Sequence, residues 1–257
     1  MSEEGKSMSR KNLGEGHRRR LRERYERAGL SAFSDHEVLE LLLTLCIPRR
    51  DVKIPAKKLL ERFGSLRAVL DASYEDLEKV EGIGSITPVA LHVIRDAATL
   101  YLQQKVEGRD VMSSGFAVGE FLRMRFAGEK SECVDVLYMD SGRRILQNGI
   151  ERIESGTVDQ VLVMPRKLVE SALAHGAKFV ILAHNHPGGS PRFSGADIEL
   201  TWAVKAAVAA VGVELQDHLL VADDKVVSMR EDGLFDAPEE SERMVAERQS
   251  PYGRRTR

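Results

Sequence analysis

The sequence has few cysteines, no long apolar run and almost no net charge. Its two cysteines, Cys46 and Cys133, lie in apolar surroundings, which indicates reduced, buried thiols in a reducing compartment and excludes a disulfide framework. No apolar run approaches the roughly 20 residues that a membrane-spanning helix needs, and the polar N-terminus lacks the apolar core of a secretory signal. The formal net charge of −2 gives no general argument for nucleic-acid binding. We therefore expect a cytoplasmic globular protein without a membrane partner.

The hydrophobic pattern divides the chain near residue 110. Residues 1–16 are polar and rich in Gly and Ser, which predicts a disordered tail. Apolar residues then recur at helical spacing and predict an all-helical module over 17–105. From 110 to 235 short strand patterns alternate with helical ones, and the composition of 236–257 predicts a mobile tail. We expect an α/β (α+β) chain in which the helical module precedes a mixed sheet with flanking helices.

Capping residues, glycines and prolines set the predicted helix and strand boundaries. The module is predicted to contain helices at 17–27, 34–46, 54–63, 65–70, 74–80 and 89–104, followed by a polar linker at 105–110. The second domain is predicted to contain helices at 115–125, 165–175 and 195–211, and strands at 133–139, 144–148, 158–164, 179–183, 213–222 and 226–229.

Residues 179–197, FVILAHNHPGGSPRFSGAD, carry the strongest chemical signal. A buried strand ends in His184 and His186, whose side chains share one face because strand residues i and i+2 point the same way. A turn rich in Pro and Gly follows, and then Ser194 and Asp197 have the spacing of a helix N-terminus. These elements can bring two imidazoles and a carboxylate to one point. Two nitrogens and one oxygen suit zinc, with a fourth position left for water.

Each part of this pattern also has an ordinary structural explanation. Most Ser-x-x-Asp pairs cap a helix and do nothing else, and a single His at a strand end is more often a hydrogen-bonded structural residue. Two His at i and i+2 followed by a capping carboxylate are harder to explain in that way. The spacing alone therefore leaves both a metal site and a capped structural turn open.

The pattern resembles the signature of the JAMM (MPN-plus, JAB) metalloproteases, in which His-x-His is followed after seven residues by Ser and after two more by Asp. Within that superfamily, the run His184-Asn185-His186-Pro187 and its Gly-rich turn resemble the RadC family. The chain departs from RadC-like sequences at Gly188, where Ser is usual, and at Phe193, where Pro is favoured. The resemblance spans about 16–234, because four further stretches agree: GHRRRLRERY (16–25), LLERFGSLRAVLDAS (59–73), ESGTVDQVLVMPRKLVESAL (154–173) and LQDHLL (215–220).

This resemblance implies an MPN fold and a zinc hydrolase that cleaves peptide or isopeptide bonds. It also implies the ligands of a single zinc ion, which are His184, His186 and Asp197. In JAMM enzymes the base is a Glu at the start of the strand after the first helix of the domain, and here that residue is Glu132. Glu154 and Glu151 are further candidates, and the structural alternative for Glu132 is a surface residue at a strand start. Ser194 caps the helix and, by resemblance, also hydrogen-bonds the oxyanion at the metal.

Three other polar residues receive no catalytic role. Asn185 points away from the two His and is expected to be structural. His175 lies at a helix end, where the helix dipole suits a partly positive imidazole. His218 is either a hydrogen-bonding partner that orients a metal ligand or a hydrogen-bonded core residue.

The helical module offers a local argument for DNA contact. The stretch HRRRLRERYER (17–27) predicts a short basic helix. It could contact phosphates, although such stretches are more often solvated faces with Arg–Glu pairs. The arginines concerned are Arg18, Arg19, Arg20, Arg22 and Arg24.

A glycine-containing turn in the helical module is a second candidate for DNA contact. The turn from Gly82 to Gly84 resembles a helix-hairpin-helix motif, which offers backbone N–H groups to phosphate. Glu81 and the lack of Lys or Arg after the turn favour a simple helix connector. RadC-like chains are linked by name with DNA repair, so the alternative function is a non-enzymatic DNA-associated protein. A third possibility is a metal-bearing scaffold without catalysis, and the oligomeric state stays open.

Overall fold

A computed structural model of the chain describes residues 3–111, 113–155 and 164–236, with side chains described over 16–111, 113–153 and 165–236. The chain divides into two units, one ending at Ala98 and the other beginning at Thr99. Within the described residues no helix is long and apolar enough to cross a membrane.

The first unit is helical throughout its described elements. Side-chain caps explain two of the helix starts, since Ser65 Oγ accepts the N–H of Ala68 and Ser73 Oγ accepts that of Asp76. The apolar faces of the helices meet in one core, which includes Leu39, Leu43, Ala56, Leu59, Val69, Leu77 and Leu91. The α-helices are α1 (Glu3–Ala28), α2 (Asp35–Cys46), α3 (Lys53–Phe63), α4 (Leu66–Asp71), α5 (Tyr74–Glu78) and the first part of α6 (Ile86–Val106), and a short 3-10 helix, Leu30–Ala32, follows α1.

Two boundaries of this unit differ from the prediction. The helix α1 begins at Glu3, where a disordered tail over 1–16 was expected; its Glu, Lys and Arg residues have good helix propensity and extend the basic helix without a break. The division between the units lies within α6 and not at the predicted linker 105–110. The physical reason is that the last turns of α6 carry Leu102 and Val106 into the core of the second unit.

The second unit is built on a mixed sheet, as predicted. Over the described residues the sheet has five strands in the order β2-β1-β3-β4-β5. They are β1 (Cys133–Met139), β2 (Ile145–Ser155), β3 (Phe179–Asn185), β4 (Glu214–Ala222) and β5 (Lys225–Ser228). β3 and β4 are parallel, and the other neighbours are antiparallel. The helices of this unit are α7 (Gly115–Arg125), α8 (Met164–Ala174) and α9 (Gly195–Ala209), of which α9 connects the parallel pair.

Strand alternation sorts the core of this unit onto the two faces of the sheet. One face packs against α8 and α9 through Val136, Tyr138, Leu168, Ala172, Val180, Leu182, Val204 and Val208. The other packs against α7 and the end of α6 through Val106, Val118, Phe121, Leu122, Leu137, Met139 and Ile181. Because His184 and His186 follow Leu182 at steps of two residues, they continue the face that carries α8 and α9.

One predicted strand is longer in the structure, and another lies almost entirely outside the described residues. The return strand predicted at 144–148 runs on to Ser155, because β2 pairs with the whole length of β1, from Met139 opposite Ile145 to Cys133 opposite Ser155. The strand predicted at 158–164 lies outside the described residues except for Met164, which begins α8.

Candidate metal centre

The end of β3 places His184 and His186. Backbone pairing continues past the strand, since the N–H of His186 donates to the carbonyl of Val221 on β4 at 2.9 Å. The chain then turns, and Nδ1 of His186 lies 2.9 Å from the carbonyl oxygen of Ser190. The two imidazole rings consequently meet edge to face, with centroids 4.8 Å apart and planes inclined at 69°.

The turn after His186 is tight at one glycine and open at the other. Gly189 has φ of 73°, and a Cβ at this position would meet Oδ2 of Asp223 at 2.7 Å, so the turn requires glycine here. At Gly188 a Cβ would meet nothing within 4 Å apart from its own chain neighbours. The Ser that RadC-like sequences usually carry at this point would therefore fit without a steric clash at its Cβ.

The start of α9 places Asp197. Ser194 is the N-cap, and its Oγ accepts the N–H of Asp197 at 3.2 Å. In return, Oδ2 of Asp197 accepts the N–H and the hydroxyl of Ser194, each at 2.7 Å. This reciprocal capping box confirms the cap predicted from the Ser-x-x-Asp spacing. It engages Oδ2 of the carboxylate, while Oδ1 is directed towards His184.

The structure brings the three predicted ligands together. Nε2 of His184 lies 3.1 Å from Nε2 of His186 and 3.4 Å from Oδ1 of Asp197. Nε2 of His186 lies 3.5 Å from Oδ2 of Asp197, and the ligand atoms all lie within 4.8 Å of one another. The side chains of His184, His186 and Asp197 are 3%, 13% and 15% exposed. This group is called the His–His–Asp cluster below. It is largely shielded from solvent, but His186 and Asp197 remain partly accessible.

The histidine protons lie on the outside of the cluster. A carbonyl oxygen can only accept, so Nδ1 of His186 donates a proton to Ser190, and Nε2 is the nitrogen of this ring that faces the cluster. Burial lowers the pKa of His184 to about 4; the carboxylate of Asp197 acts against this shift, and His186 adds to it. His184 is therefore neutral near pH 7.

The donor set of the cluster fits a divalent cation. Two imidazole nitrogens and a carboxylate oxygen converge, and these are the ligand types of zinc sites. Two atoms bound tetrahedrally at about 2.0–2.1 Å from zinc are about 3.3 Å apart. The two Nε2 atoms are 3.1 Å apart, and each lies close to that value, at 3.4 or 3.5 Å, from a different oxygen of Asp197.

His218 and Phe193 enclose His184. Nδ1 of His184 lies 2.7 Å from Nε2 of His218, and burial lowers the pKa of His218 well below its usual value. The ring of Phe193 lies 5.8 Å from that of His184 and 5.5 Å from that of His218, measured between centroids. Phe193, one of the two departures from the RadC-like pattern, thus packs against both rings of this hydrogen bond.

Glu132 lies at the edge of the cluster and is not part of it. β1 pairs antiparallel with β3, with Val134 opposite His184. Continuing that register by two residues places Glu132 opposite His186 and on the same face of the sheet. Glu132 is partly buried and does not belong to the ligand atoms that lie within 4.8 Å of one another. Its role as a base stays a prediction.

Asn185 fixes the backbone on both sides of Glu132. Its Oδ1 accepts the N–H of Cys133 at 2.7 Å, and its Nδ2 donates to the carbonyl of Ser131 at 3.1 Å. These two groups belong to the peptide units that flank Glu132. Asn185 is structural, as expected, and its contacts tie the Glu132 segment to the strand that carries the two histidines.

Glu151 belongs to a separate polar cluster against α8. Its Oε2 accepts the hydroxyl of Tyr138 at 3.3 Å and also the hydroxyl of Ser171. His175 stacks on Tyr138 with centroids 4.2 Å apart, and its Nδ1 lies 2.9 Å from the carbonyl of Ser171. Through these hydrogen bonds Glu151 links α8 to the sheet. Glu154, the other candidate base, lies on β2, and its side chain lies outside the described residues.

In the helical unit, Arg24 and Arg18, both predicted to contact phosphate, have partners within the protein. Arg24 pairs with Glu37 at 2.8 Å and, through this hydrogen bond, lowers the pKa of that carboxyl to about 2. The guanidinium of Arg18 donates to three carbonyl groups at the end of α2 and beyond it, those of Thr44, Ile47 and Arg50.

The Gly82–Gly84 turn packs against α3. Gly82 has φ of 91°, and a Cβ there would meet Cγ of Pro55 at 2.9 Å. The side chain of Glu81 pairs with Lys58 of the same helix. These contacts fit the helix-connector interpretation, and DNA contact by the turn stays a prediction.

Comparison with known proteins covers both units. Residues 16–89 match the UPF0758 N-terminal family, and residues 112–234 match the RadC-like JAB domain. A UPF0758 protein of Ruegeria pomeroyi is 37% identical over 219 residues, which cover 85% of this chain and 97% of that protein. A UPF0758 protein of Paraburkholderia phytofirmans is 38% identical over 212 residues, which cover 82% of this chain and 81% of that protein. The chain therefore belongs to the RadC (UPF0758) family, with a UPF0758 N-terminal segment joined to a RadC-like JAB domain.

Proposed function

We propose that this protein is a zinc-dependent hydrolase of the RadC kind that cleaves peptide or isopeptide bonds. The observation that carries the proposal is the convergence of two imidazoles and a carboxylate. The two Nε2 atoms lie 3.1 Å apart, and each lies 3.4 or 3.5 Å from one of the two oxygens of Asp197. Partly buried acceptors that face one another are costly unless a positive charge satisfies them. The match of residues 112–234 to a RadC-like JAB domain supports the same proposal.

Zinc suits this donor set better than the other common divalent cations. Magnesium and calcium prefer sites made of oxygen ligands, whereas imidazole and carboxylate together suit zinc. Three protein ligands leave a fourth position for water or substrate, as in catalytic zinc sites. The Ser194 cap would hold the Asp197 carboxylate in place before the metal binds, which reduces the ordering that binding requires.

Glu132 is the residue that would move protons. A zinc ion in the cluster would supply the Lewis acidity that makes water a nucleophile near neutral pH. Glu132 would accept the proton of the attacking water and return it to the leaving amine. A carboxylate that transfers a proton twice has to keep its position through both steps. The two hydrogen bonds from Asn185 support this role, because they fix the peptide units on both sides of Glu132.

Ser194 would serve mainly through Asp197. Its hydroxyl donates to Oδ2 of Asp197 at 2.7 Å, so the proton that an oxyanion would need is already engaged. To bind a developing oxyanion, as the resemblance implies, the hydroxyl would have to exchange the carboxylate for the substrate. The cap itself keeps the carboxylate oriented in either case.

The test is a hydrolysis that depends on zinc. The full chain is assayed against internally quenched peptides of mixed sequence and against a quenched probe in which Gly is joined to a Lys ε-amino group. We expect cleavage that 1,10-phenanthroline abolishes and added Zn²⁺ restores, and no cleavage by the His184→Ala/His186→Ala variant. Zinc binding without cleavage of either probe class would overturn the hydrolase proposal and favour a metal-bearing scaffold.

A second candidate function is DNA contact through α1. It is supported by the solvent exposure of Arg19, Arg20 and Arg22, although Arg19 also lies 3.5 Å from Glu23. If these guanidinium groups neutralise phosphates, the logarithm of duplex affinity should fall with the logarithm of salt concentration by about 0.9 per phosphate. Replacing the three with Gln should then make the slope shallower. An unchanged slope would exclude this stretch as a DNA contact.

A further inference from the structure

A chain of buried hydrogen bonds leads from Asp197 to His184 behind the His–His–Asp cluster. Thr201 lies one turn after Asp197 on α9, and its Oγ1 lies 2.6 Å from the carbonyl of Asp197 and 2.6 Å from Nδ1 of His218. Nε2 of His218 lies 2.7 Å from Nδ1 of His184. Thr201, His218 and His184 are 0%, 1% and 3% exposed, so water does not compete for these bonds. The chain begins at the backbone of one proposed ligand and ends at the ring of another.

The acceptor at the start of this chain determines where its protons lie. The carbonyl of Asp197 can only accept, so the Thr201 hydroxyl donates its single proton there. Oγ1 of Thr201 must then accept from Nδ1 of His218, which carries the proton of that ring.

The same reasoning continues into the metal ligand. With Nδ1 of His218 already protonated, a second proton on its Nε2 would make the ring a cation that is 1% exposed and hydrogen-bonded to no carboxylate of the described residues. Nε2 of His218 therefore accepts the proton on Nδ1 of His184. His184 is left with a lone pair on Nε2, the atom that faces His186 and Asp197.

We propose that Thr201, acting through His218, is a positioning residue that fixes His184 in the tautomer whose Nε2 can bind zinc. The inference rests on the zinc site of the proposed function. The competing tautomer would put a proton on Nε2 of His184, where Oδ1 of Asp197, 3.4 Å away, could accept it. Two of the three proposed ligands would then be bonded to each other and closed to a metal.

Thr201 disfavours that competing state. With Nε2 of His184 protonated, His218 would have to donate from its own Nε2, and its Nδ1 would become an acceptor facing Oγ1. The hydroxyl of Thr201 would then have to leave the carbonyl of Asp197, or two acceptors would face each other in a buried site. The hydroxyl thus acts on the metal ligand from two hydrogen bonds away.

Thr201→Val and Thr201→Ser form a matched pair for the test. Val keeps the shape of Thr and lacks the hydroxyl, whereas Ser keeps the hydroxyl and lacks the methyl group. Zinc affinity is measured for the full chain by competition with a fluorescent chelator near pH 7.5. We expect Thr201→Val to bind zinc about 10–100-fold more weakly than the wild type, the usual effect of losing an outer partner of a metal-binding His. Thr201→Ser should stay close to the wild type.

A second readout observes the protons directly. The zinc-free protein, labelled with ¹⁵N-histidine, is studied through its imidazole ¹⁵N resonances. In the wild type both His184 and His218 should carry their proton on Nδ1. In Thr201→Val both rings should show a population protonated on Nε2, while Thr201→Ser keeps the wild-type pattern.

The outcomes separate this proposal from the proposed function. A wild-type protein with either ring protonated on Nε2 overturns the proposal, and that result needs no variant. Unchanged zinc affinity in a folded Thr201→Val protein overturns it as well. If the wild type binds no zinc but shows both Nδ1 protons, and Thr201→Val loses them, the tautomer control stands and the hydrolase proposal fails.

Discussion

Asp135 and Asp197 are two carboxylates of the sheet-bearing unit with opposite surroundings. Asp135 is fully buried, and its two oxygens accept from Nε of Arg125 at 2.7 Å and from Nε of Arg152 at 2.8 Å. Asp197 accepts from its helix cap, Ser194, and otherwise faces the Nε2 atoms of the two cluster histidines at 3.4 and 3.5 Å. Asp135 is thus paired with two guanidinium cations, whereas Asp197 faces two imidazole nitrogens that can bind a metal.

This difference separates a structural acid from a proposed ligand. The charge of Asp135 is satisfied by the two guanidinium groups, which join the end of α7 and β2 to β1. Burial holds His184 neutral by lowering its pKa, so this imidazole brings no compensating charge to Asp197, and a bound cation would complete that site. If burial were the only criterion for a functional carboxylate, Asp135 would be a stronger candidate than Asp197. The chemistry of the neighbours distinguishes them. The variants Asp135→Ala and Asp197→Ala test this distinction directly, and three further changes test the rest of the site.

Glu132→Gln should have the largest effect, and only on catalysis. The substitution keeps the size of the side chain and leaves the three proposed ligands untouched, so zinc should stay bound. Loss of the proton-transfer group should lower hydrolysis by about 10²–10⁴-fold, mainly in kcat. Glu151→Gln is the matched control and should retain hydrolysis, because Glu151 is occupied by Tyr138 and Ser171. Full activity in Glu132→Gln would exclude it as the base and make Glu154 the next residue to test.

Asp135→Ala should affect stability and leave the metal in place. Removing this carboxylate leaves Arg125 and Arg152 without their buried counter-charge, so the free energy of unfolding should fall by about 3–5 kcal/mol. Asp197→Ala should show the converse, with most of the zinc lost and a smaller change in metal-free stability. Urea unfolding and elemental analysis of both variants make the comparison. A folded Asp135→Ala protein that loses zinc as Asp197→Ala does would remove the distinction between the two carboxylates.

Acid should destabilise the metal-free protein through the cluster. Burial lowers the pKa of His184 from its usual 6.5 to about 4. Between these values the unfolded chain binds a proton that the folded protein does not, so the free energy of unfolding falls as the pH decreases. The shift corresponds to a loss on the order of 3 kcal/mol, complete below about pH 4.

Urea unfolding of the zinc-free protein between about pH 7.5 and pH 4.5 measures this effect. His218 contributes in the same direction, because burial lowers its pKa as well. A His184→Asn variant should therefore show a shallower, non-zero dependence on pH. If the variant and the wild type had the same slope, His184 would not be the group that titrates.

Asn185→Leu should have the smallest effect of the four. The substitution frees the N–H of Cys133 and the carbonyl of Ser131, which flank Glu132. Misplacing the base should lower kcat by about 10–100-fold, with KM and zinc content near those of the wild type. Loss of zinc in proportion to activity would show that Asn185 acts on the histidines on either side of it and not on Glu132.

The three proposed ligands could be predicted because their directions depend on local geometry. Strand alternation places His184 and His186 on one face, and the Ser194 cap fixes Asp197 in the first turn of α9. Glu132 came only from the resemblance, since its approach depends on the register in which β1 pairs with β3. No local sequence pattern in either strand determines that register.

Thr201 was missed although one signal pointed to it. It follows Asp197 by four residues, so the two share a face of the same helix. What the sequence could not supply is the parallel pairing of β3 with β4, which sets Leu182 opposite His218 and thereby brings the His218 ring to His184. Pairings between distant strands are set by tertiary packing and not by the residues of either strand alone.

The fold shows the same division between local and distant causes. The helix start predicted at residue 34 coincides with the N-cap of α2, Ser34, because a cap is a local interaction. A continuous helix over 89–104 was predicted, but the division of the two units within it was not. This division depends on Leu102 and Val106 packing into a core formed by residues far along the chain.

The central claim is that His184, His186 and Asp197 form a zinc site, and metal content tests it most directly. The full chain and the His184→Ala/His186→Ala variant are purified without added metal and measured by elemental analysis, with Asp135→Asn as a control for a perturbed carboxylate elsewhere on the sheet. A cation site of this kind predicts about one zinc ion per chain in the wild type and in Asp135→Asn, and almost none in the double variant. Equal zinc in all three proteins, or a wild type that neither carries zinc nor takes it up when offered, would contradict the claim.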